Sequence, residues 1–235
     1  MTTIKFGTDG WRAIIADDFT VENVKRVAYA TALWVKENGE EKVVIGHDTR
    51  FAGHLFAETT ARVMGSQGIK VNLAKGIVST PMVSLGVVHT KSFAGIVLTA
   101  SHNPPSYNGF KLKSHYGGPS SPDVIARVEA LIPDHLDIEL PTLDQMLEDG
   151  LLNYIDLETI YVRHVKSHFD LATIQNIKIG YDAMYGAGQK VVQRLLPNNI
   201  VALHCDENPS FKGQAPEPIH RNLSELSNLL KNDHS

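Results

Sequence analysis

The stretch from Phe93 to Lys113 constrains this chain more than any other. It opens with a short unbroken apolar run, Ala94 to Leu98, whose Ile96 and Val97 suit a strand covered on both faces. The chain then turns polar within a residue or two, and Asn103-Pro104-Pro105 can continue neither a strand nor a helix. Ser101, His102 and Asn103 are therefore expected in a loop just past the carboxyl end of a buried strand, which is where open α/β sheets bind ligands. Asn108-Gly109 has the composition of a hairpin turn, and Phe110-Lys111-Leu112-Lys113 alternates as a half-exposed strand would. Such a hairpin brings Lys111 close to Ser101. A hydroxyl and an ammonium facing one loop can handle a phosphoryl group, one receiving it and the other neutralising charge or moving a proton. The same residues also make an ordinary strand-loop-strand unit that needs no chemistry.

The remaining chain sets the frame for that loop. With 235 residues there is room for one large domain or two ordinary ones, and 43% hydrophobic with 20% charged residues is a globular composition. A net charge of −4 argues against a nucleic-acid partner. A single cysteine, Cys205, excludes an internal disulfide and fits a reducing compartment. No apolar run reaches membrane-spanning length and the opening residues do not form a signal peptide, so the expected location is cytoplasmic, with no membrane partner.

Along the chain, Gly7 and Gly10 bracket Thr8-Asp9 in a turn that leads to Trp11 and Arg12. Thr20 caps a helix whose apolar face runs through Val24, Val27 and Thr31, with Gly39 closing it. A buried strand over 42–46 ends in His47-Asp48-Thr49-Arg50, where the arginine is expected at the cleft edge in a structural role. A helix over 55–66, an alternating strand over 69–73 and a helical segment from Pro81 lead into the serine strand. Ser121-Pro122-Asp123 opens a further helix with Val124, Val128 and Leu131 inward. This succession predicts an α/β fold, layered α/β/α domains with mixed, mostly parallel sheets.

Weak periodicity and accumulating acids from Pro133 to Gly150 predict a boundary there, giving one unit over 1–145 and a second over 150–235. The second should hold a helix over 156–169, strands over 177–181 and 200–204, and a last helix over 223–230. His164 and His168 sit at metal-ligand spacing but have no third ligand in view, and His204 beside Cys205 is no better a site. The glycine turn Asp182 to Gly188 leads into a helix, where tight packing is favoured over phosphate binding.

The string Thr99-Ala100-Ser101-His102-Asn103-Pro104-Pro105, with Tyr107 to Lys111 behind it, closely resembles the phosphoserine loop of the α-D-phosphohexomutases, the phosphoglucomutase/phosphomannomutase family. Lys5 to Ala16 resembles that family's opening motif, and Tyr181 to Gly188 the start of its second domain. The resemblance implies a mutase that interconverts hexose 1-phosphate and 6-phosphate through phosphoserine and a bisphosphate intermediate. It assigns Ser101 as phosphoryl carrier and, through its phosphate, as a ligand of Mg²⁺. Lys111 becomes the general acid/base, His102 a supporting donor and Arg12 a contact to substrate phosphate, with hexose 1,6-bisphosphate as activator. Trp11 favours the gluco/mannomutase branch over the phosphoglucosamine branch. The family's metal motif, D-x-D-x-D-R, has no match here, and its later domains lie beyond this length. The expectation is an N-terminal piece, domain 1 plus part of domain 2, inactive without its C-terminal domains. A non-catalytic phosphosugar-binding or regulatory module is the alternative, and a phosphatase acting through phosphoserine a second.

Overall fold

The computed structural model describes residues 3–7 and 10–232. Thr8 and Asp9, the predicted tip of the first turn, lie outside the described residues, as do the two opening and three closing ones. Gly7 and Gly10 are bridged, the Gly7 amide donating to the Gly10 carbonyl at 2.9 Å.

Strand β1 (Trp11–Ile14) leads to helix α1 (Val21–Glu37), whose first turn is closed by the Thr20 hydroxyl accepting from the Asn23 amide. Then come β2 (Lys42–His47), α2 (Gly53–Ser66), β3 (Lys70–Ile77), α3 (Thr80–Thr90), β4 (Ala94–Leu98) and β5 (Tyr107–Ser114). After α4 (Pro122–Ala130) the chain forms α5 (Leu143–Glu148), β6 (Leu152–Ile155) and α6 (Leu157–His168). It ends with β7 (Ile179–Asp182), α7 (Val191–Leu195), β8 (Ile200–Leu203) and α8 (Ser224–Asn232). No helix among the described residues is long and apolar enough to cross a membrane.

Six strands form one mixed sheet in the order β1-β5-β4-β2-β3-β6, and β7 and β8 pair parallel in a second. In the large sheet β4, β2, β3 and β6 are parallel, while β5 runs antiparallel to both its neighbours. The pleat sends alternate residues of β2 to opposite faces. Val43 and Ile45 join α1 and α2 in one core, while Val44 joins Met82, Val83 and Val87 of α3 in the other. Helices therefore cover both faces, as the apolar run of β4 requires.

Two expectations need correction. Asn108-Gly109 is not a turn but lies inside β5, and the reversal is made by the loop that holds Pro104 and Pro105. Nor is the Lys111 strand half-exposed. It is an inner strand between β1 and β4, and its successive residues from Asn108 to Ser114 are buried on both faces, Lys111 and Lys113 among them. Gly109 is needed there because a side chain would meet the Thr99 carbonyl at 2.5 Å and the Trp11 carbonyl at 2.8 Å. Two elements went unread: α5, with a complete capping box between Thr142 and Gln145, and β6, which extends the large sheet beside β3. The segment from 150 to 155, read as the head of the second unit, thus hydrogen-bonds into the first sheet.

Candidate functional site

Chain order and strand order diverge at β2. From it the chain passes through α2 on one face to β3, then returns through α3 on the other face to β4 on β2's far side. The loops leaving β2 and β4 at their carboxyl ends part there, and such a switch point leaves a crevice. The β2 loop carries Asp48, Thr49 and Arg50, and the β4 loop carries Ser101 and His102. A cleft of about 440 Å³ opens between them, lined also by Ser79 and Thr80 at the start of α3 and by Asp182, Met184 and Gly186 at and beyond the end of β7.

Arg50 holds the serine loop in shape. One terminal nitrogen donates to the carbonyls of Pro104 at 2.8 Å and Tyr107 at 2.9 Å, and the other to those of Ser101 at 2.9 Å and Asn103 at 2.7 Å. Both ends of its fork are thus spent on main-chain oxygens. The guanidinium is buried, and that burial lowers its pKa from the ordinary arginine value; Asp48 opposes the shift and nearby Arg12 adds to it. Asp48 lies 3.5 Å from the Arg50 Nε and accepts the Arg50 amide at 2.9 Å. Its carboxyl is pushed upward by burial, against the pull of Thr99 and Arg50.

The Asp48 carboxylate also accepts the Thr99 hydroxyl at 2.5 Å, and that oxygen in turn accepts the Ser101 amide at 3.0 Å. Ser101 is left exposed with φ +58°, a left-handed conformation unusual for serine, its backbone tied on both sides. Its Oγ is 3.4 Å from His102 Nδ1. Arg12, arriving on the edge strand β1, donates to Asn103 Oδ1 at 2.8 Å. The structure therefore brings Ser101, His102 and Arg12 to one loop. Lys111 sits opposite Val97 on β5, its Cγ so close to Gly10 that a side chain there would meet it at 2.8 Å. Neither Lys111 nor Arg12 is among the cleft-lining residues. Trp11 is a core residue, stacked on Phe19 at 4.7 Å.

Across the cleft, the glycine turn does not open into a helix N-terminus, because α7 begins only at Val191. Asp182 accepts the Met184 amide and faces His204 Nδ1, each at 2.8 Å, and His204 Nε2 lies 3.2 Å from Glu225. The His168 ring points back to the His164 carbonyl, Nδ1 to O 2.8 Å. Among the described residues no group of three or more His, Cys, Asp or Glu is set to hold a metal ion. The carboxylate beside the serine loop is already committed to Thr99 and Arg50, so these residues do not by themselves fit Mg²⁺. Arg50 has the structural role expected of it, but its four carbonyl partners and the Asp48–Thr99 link to the Ser101 amide escaped the sequence.

Two family models match the chain. Residues 3–137 match "Phosphoglucomutase/phosphomannomutase, alpha/beta/alpha domain I" and residues 159–235 match domain II of the same family. Helix α5 and strand β6 fall between the two matched spans. A phosphoglucomutase from Neisseria meningitidis serogroup B is 32% identical over 94% of this chain and 47% of its own length. A phosphoglucomutase/phosphomannomutase from Thermococcus kodakarensis is 29% identical over 96% of the chain and 50% of its own. A crystal structure named as a phosphomannomutase, from Thermus thermophilus, superposes with a TM-score of 0.88 at 35% identity, over 97% of this chain and 52% of that one. A relative from Methanosphaera stadtmanae carries a phosphoglucosamine mutase name at 29% identity. The chain spans about half the length of the curated relatives it matches.

Proposed function

The chain belongs to the phosphoglucomutase/phosphomannomutase family, and we propose that Ser101 is the phosphoryl carrier of a phosphohexomutase reaction between hexose 1-phosphate and 6-phosphate. The observation that carries this reading is the placement of Ser101. It is an exposed hydroxyl at a topological switch point, on a backbone pinned by Arg50 and Thr99. Phosphoryl transfer asks mainly for positioning and for charge to meet the oxyanions. The Oγ–P bond of phosphoserine breaks as a sugar hydroxyl oxygen bonds to phosphorus, the hydroxyl proton leaves to a base, and the freed serine oxygen regains a proton. Lys111 is assigned that proton traffic, His102 supports the serine oxygen, and Arg12 meets substrate phosphate from the loop's flank. In the complete reaction the bisphosphate turns round and returns its other phosphoryl group to Ser101.

The division follows the family spans, a first unit carrying the serine loop and a second facing it across the cleft. Mg²⁺ and a hexose 1,6-bisphosphate activator belong to this reading through the Ser101 phosphate alone. We assign turnover to a chain of the relatives' full length, in the cytoplasm, and not to residues 1–235 by themselves.

Incubation with glucose 1,6-bisphosphate followed by peptide mapping is expected to place one phosphoryl group on Ser101. Phosphate on Ser79, Ser106 or Ser114 instead would sink the assignment. Rapid release of inorganic phosphate selects a phosphatase, and a serine that accepts nothing selects a phosphosugar-binding module. In a complete enzyme Lys111→Ala should cost roughly a hundred- to ten-thousand-fold in rate, whereas Lys113→Ala should leave the chemical step almost unchanged. Equal effects would remove the distinction between the two lysines.

A further inference from the structure

Arg50 is held at its edges by the serine loop, but one face of its guanidinium is closed from elsewhere. The Phe211 ring lies over it with 5.2 Å from centroid to Cζ. Phe211 comes from the segment between β8 and α8 and is itself buried, at 3% exposure. Its backbone is unusual, since Phe211 and Lys212 are successive non-glycine residues at φ +49° and +50°. A bulky residue in that conformation is strained and persists only where the surroundings over-determine it. The bend is fixed by the Phe211 amide on the Asn208 carbonyl at 2.9 Å and the Gly213 amide on the Ser210 carbonyl at 2.7 Å. Just before it, Pro209 and Ser210 line one cavity together with Phe51 and Pro105.

We propose that Phe211 is a positioning residue for the serine loop, acting through Arg50, so that the second unit fixes the backbone around Ser101. A planar cation whose terminal donors are all engaged still has its face open, and an aromatic ring is a partner that can take it. With Phe211 in place, water is kept from the guanidinium, and its terminal donors stay on the four loop carbonyls. Without it, water competes for those donors and the contacts to Ser101, Asn103, Pro104 and Tyr107 loosen together. The Ser101 oxygen then loses its fixed relation to His102. This rests on the reading of Ser101 above for its purpose, but not for its test.

The test is backbone amide hydrogen exchange over 100–108 in the 235-residue chain, for Phe211→Ala, Phe211→Leu and Phe211→Trp. Phe211→Ala should speed exchange in that loop at least tenfold, while β2 and β4 keep wild-type protection. Phe211→Leu, which fills space without a π face, should lie between, and Phe211→Trp should restore the loop. Unchanged loop exchange in Phe211→Ala, or full restoration by leucine, overturns the proposal. If the alanine variant does not fold, the leucine and tryptophan variants still decide the question. Failure of Ser101 to accept phosphate in the wild-type chain would count against the mutase reading and leave the exchange result standing.

Discussion

The two sheets are built from the same kind of unit, a parallel strand pair with crossover helices, yet they are buried very differently. In the large sheet β4 is buried at every residue and β2 through its centre, between cores on both faces. In the small sheet no residue of β7 or β8 is fully buried, and among the described residues after α6 only Tyr185, Val191 and Phe211 are buried hydrophobics. Of these, Val191 packs into the α3 core of the large sheet and Phe211 lies on Arg50. The small sheet therefore leans on the large one. It faces the serine loop across the cleft and reaches it through Phe211, from the segment after β8.

Two arginines break or sharpen that contrast most. Arg50 is buried and serves four carbonyls beside Asp48, whereas Arg194 of α7 is exposed and pairs with Glu158 at 2.6 Å. Arg50→Ala strands a buried carboxylate and should cost about 3–5 kcal/mol. Arg194→Ala removes a surface pair and should cost about 0–1 kcal/mol. Denaturant titration of both variants measures the difference, and losses of equal size would mean that the two regions share one level of order. The next test holds chemistry constant. Ile45 in β2 is fully buried and Ile200 in β8 only half-buried. Ile45→Ala should lose about 2–5 kcal/mol through transfer and cavity together, and Ile200→Ala about 1 kcal/mol because less area leaves water. If Ile200→Ala proved as costly, the second region would have a core of its own.

The same contrast explains what the sequence shows and hides. The strand and helix pattern of the large sheet was legible because burial imprints itself on residue type, as in Ala94 to Leu98 and the inward face of α1. Asn108-Gly109 misled because the pair signals a turn by its φ preferences, yet here the glycine answers a close approach of two carbonyls, which no local pattern records. Ser101 stood out through an unusual string of side chains. Arg50 was legible as a structural residue, but its partners were not, because they are four main-chain oxygens and any residue type can supply those. The Phe211 contact was invisible for the same reason that all long-range packing is. Helix α5 does carry a local signal, since Thr142 with Gln145 three residues on is a capping box.

Helix α6 joins the two regions, and its first turn gives the smallest effect. Leu157 is buried in the α3 core, while Arg194 reaches from α7 to Glu158 and to the Thr159 hydroxyl. Asp156 caps this turn, accepting the Thr159 amide at 2.9 Å. That amide bond, then the Thr159 hydroxyl, holds the Asp156 carboxyl below the usual carboxylate range, with Arg194 and Lys75 adding to the effect. A carboxyl whose pKa is depressed on folding contributes stability that is complete above its unfolded value, about 3.9. That contribution is lost as pH falls through the lower folded value. Asp156→Ala should cost about 0.5–2 kcal/mol at neutral pH. Asp156→Asn keeps an acceptor and should cost less, and its deficit should shrink as pH drops below about 4 while that of the alanine variant partly persists. Hydrogen exchange locates the damage. If α6 is the strap by which the second region leans on the first, α7 amides should lose protection in Asp156→Ala while β2 and β4 keep theirs. Equal loosening of both would make α6 part of the large sheet's own core.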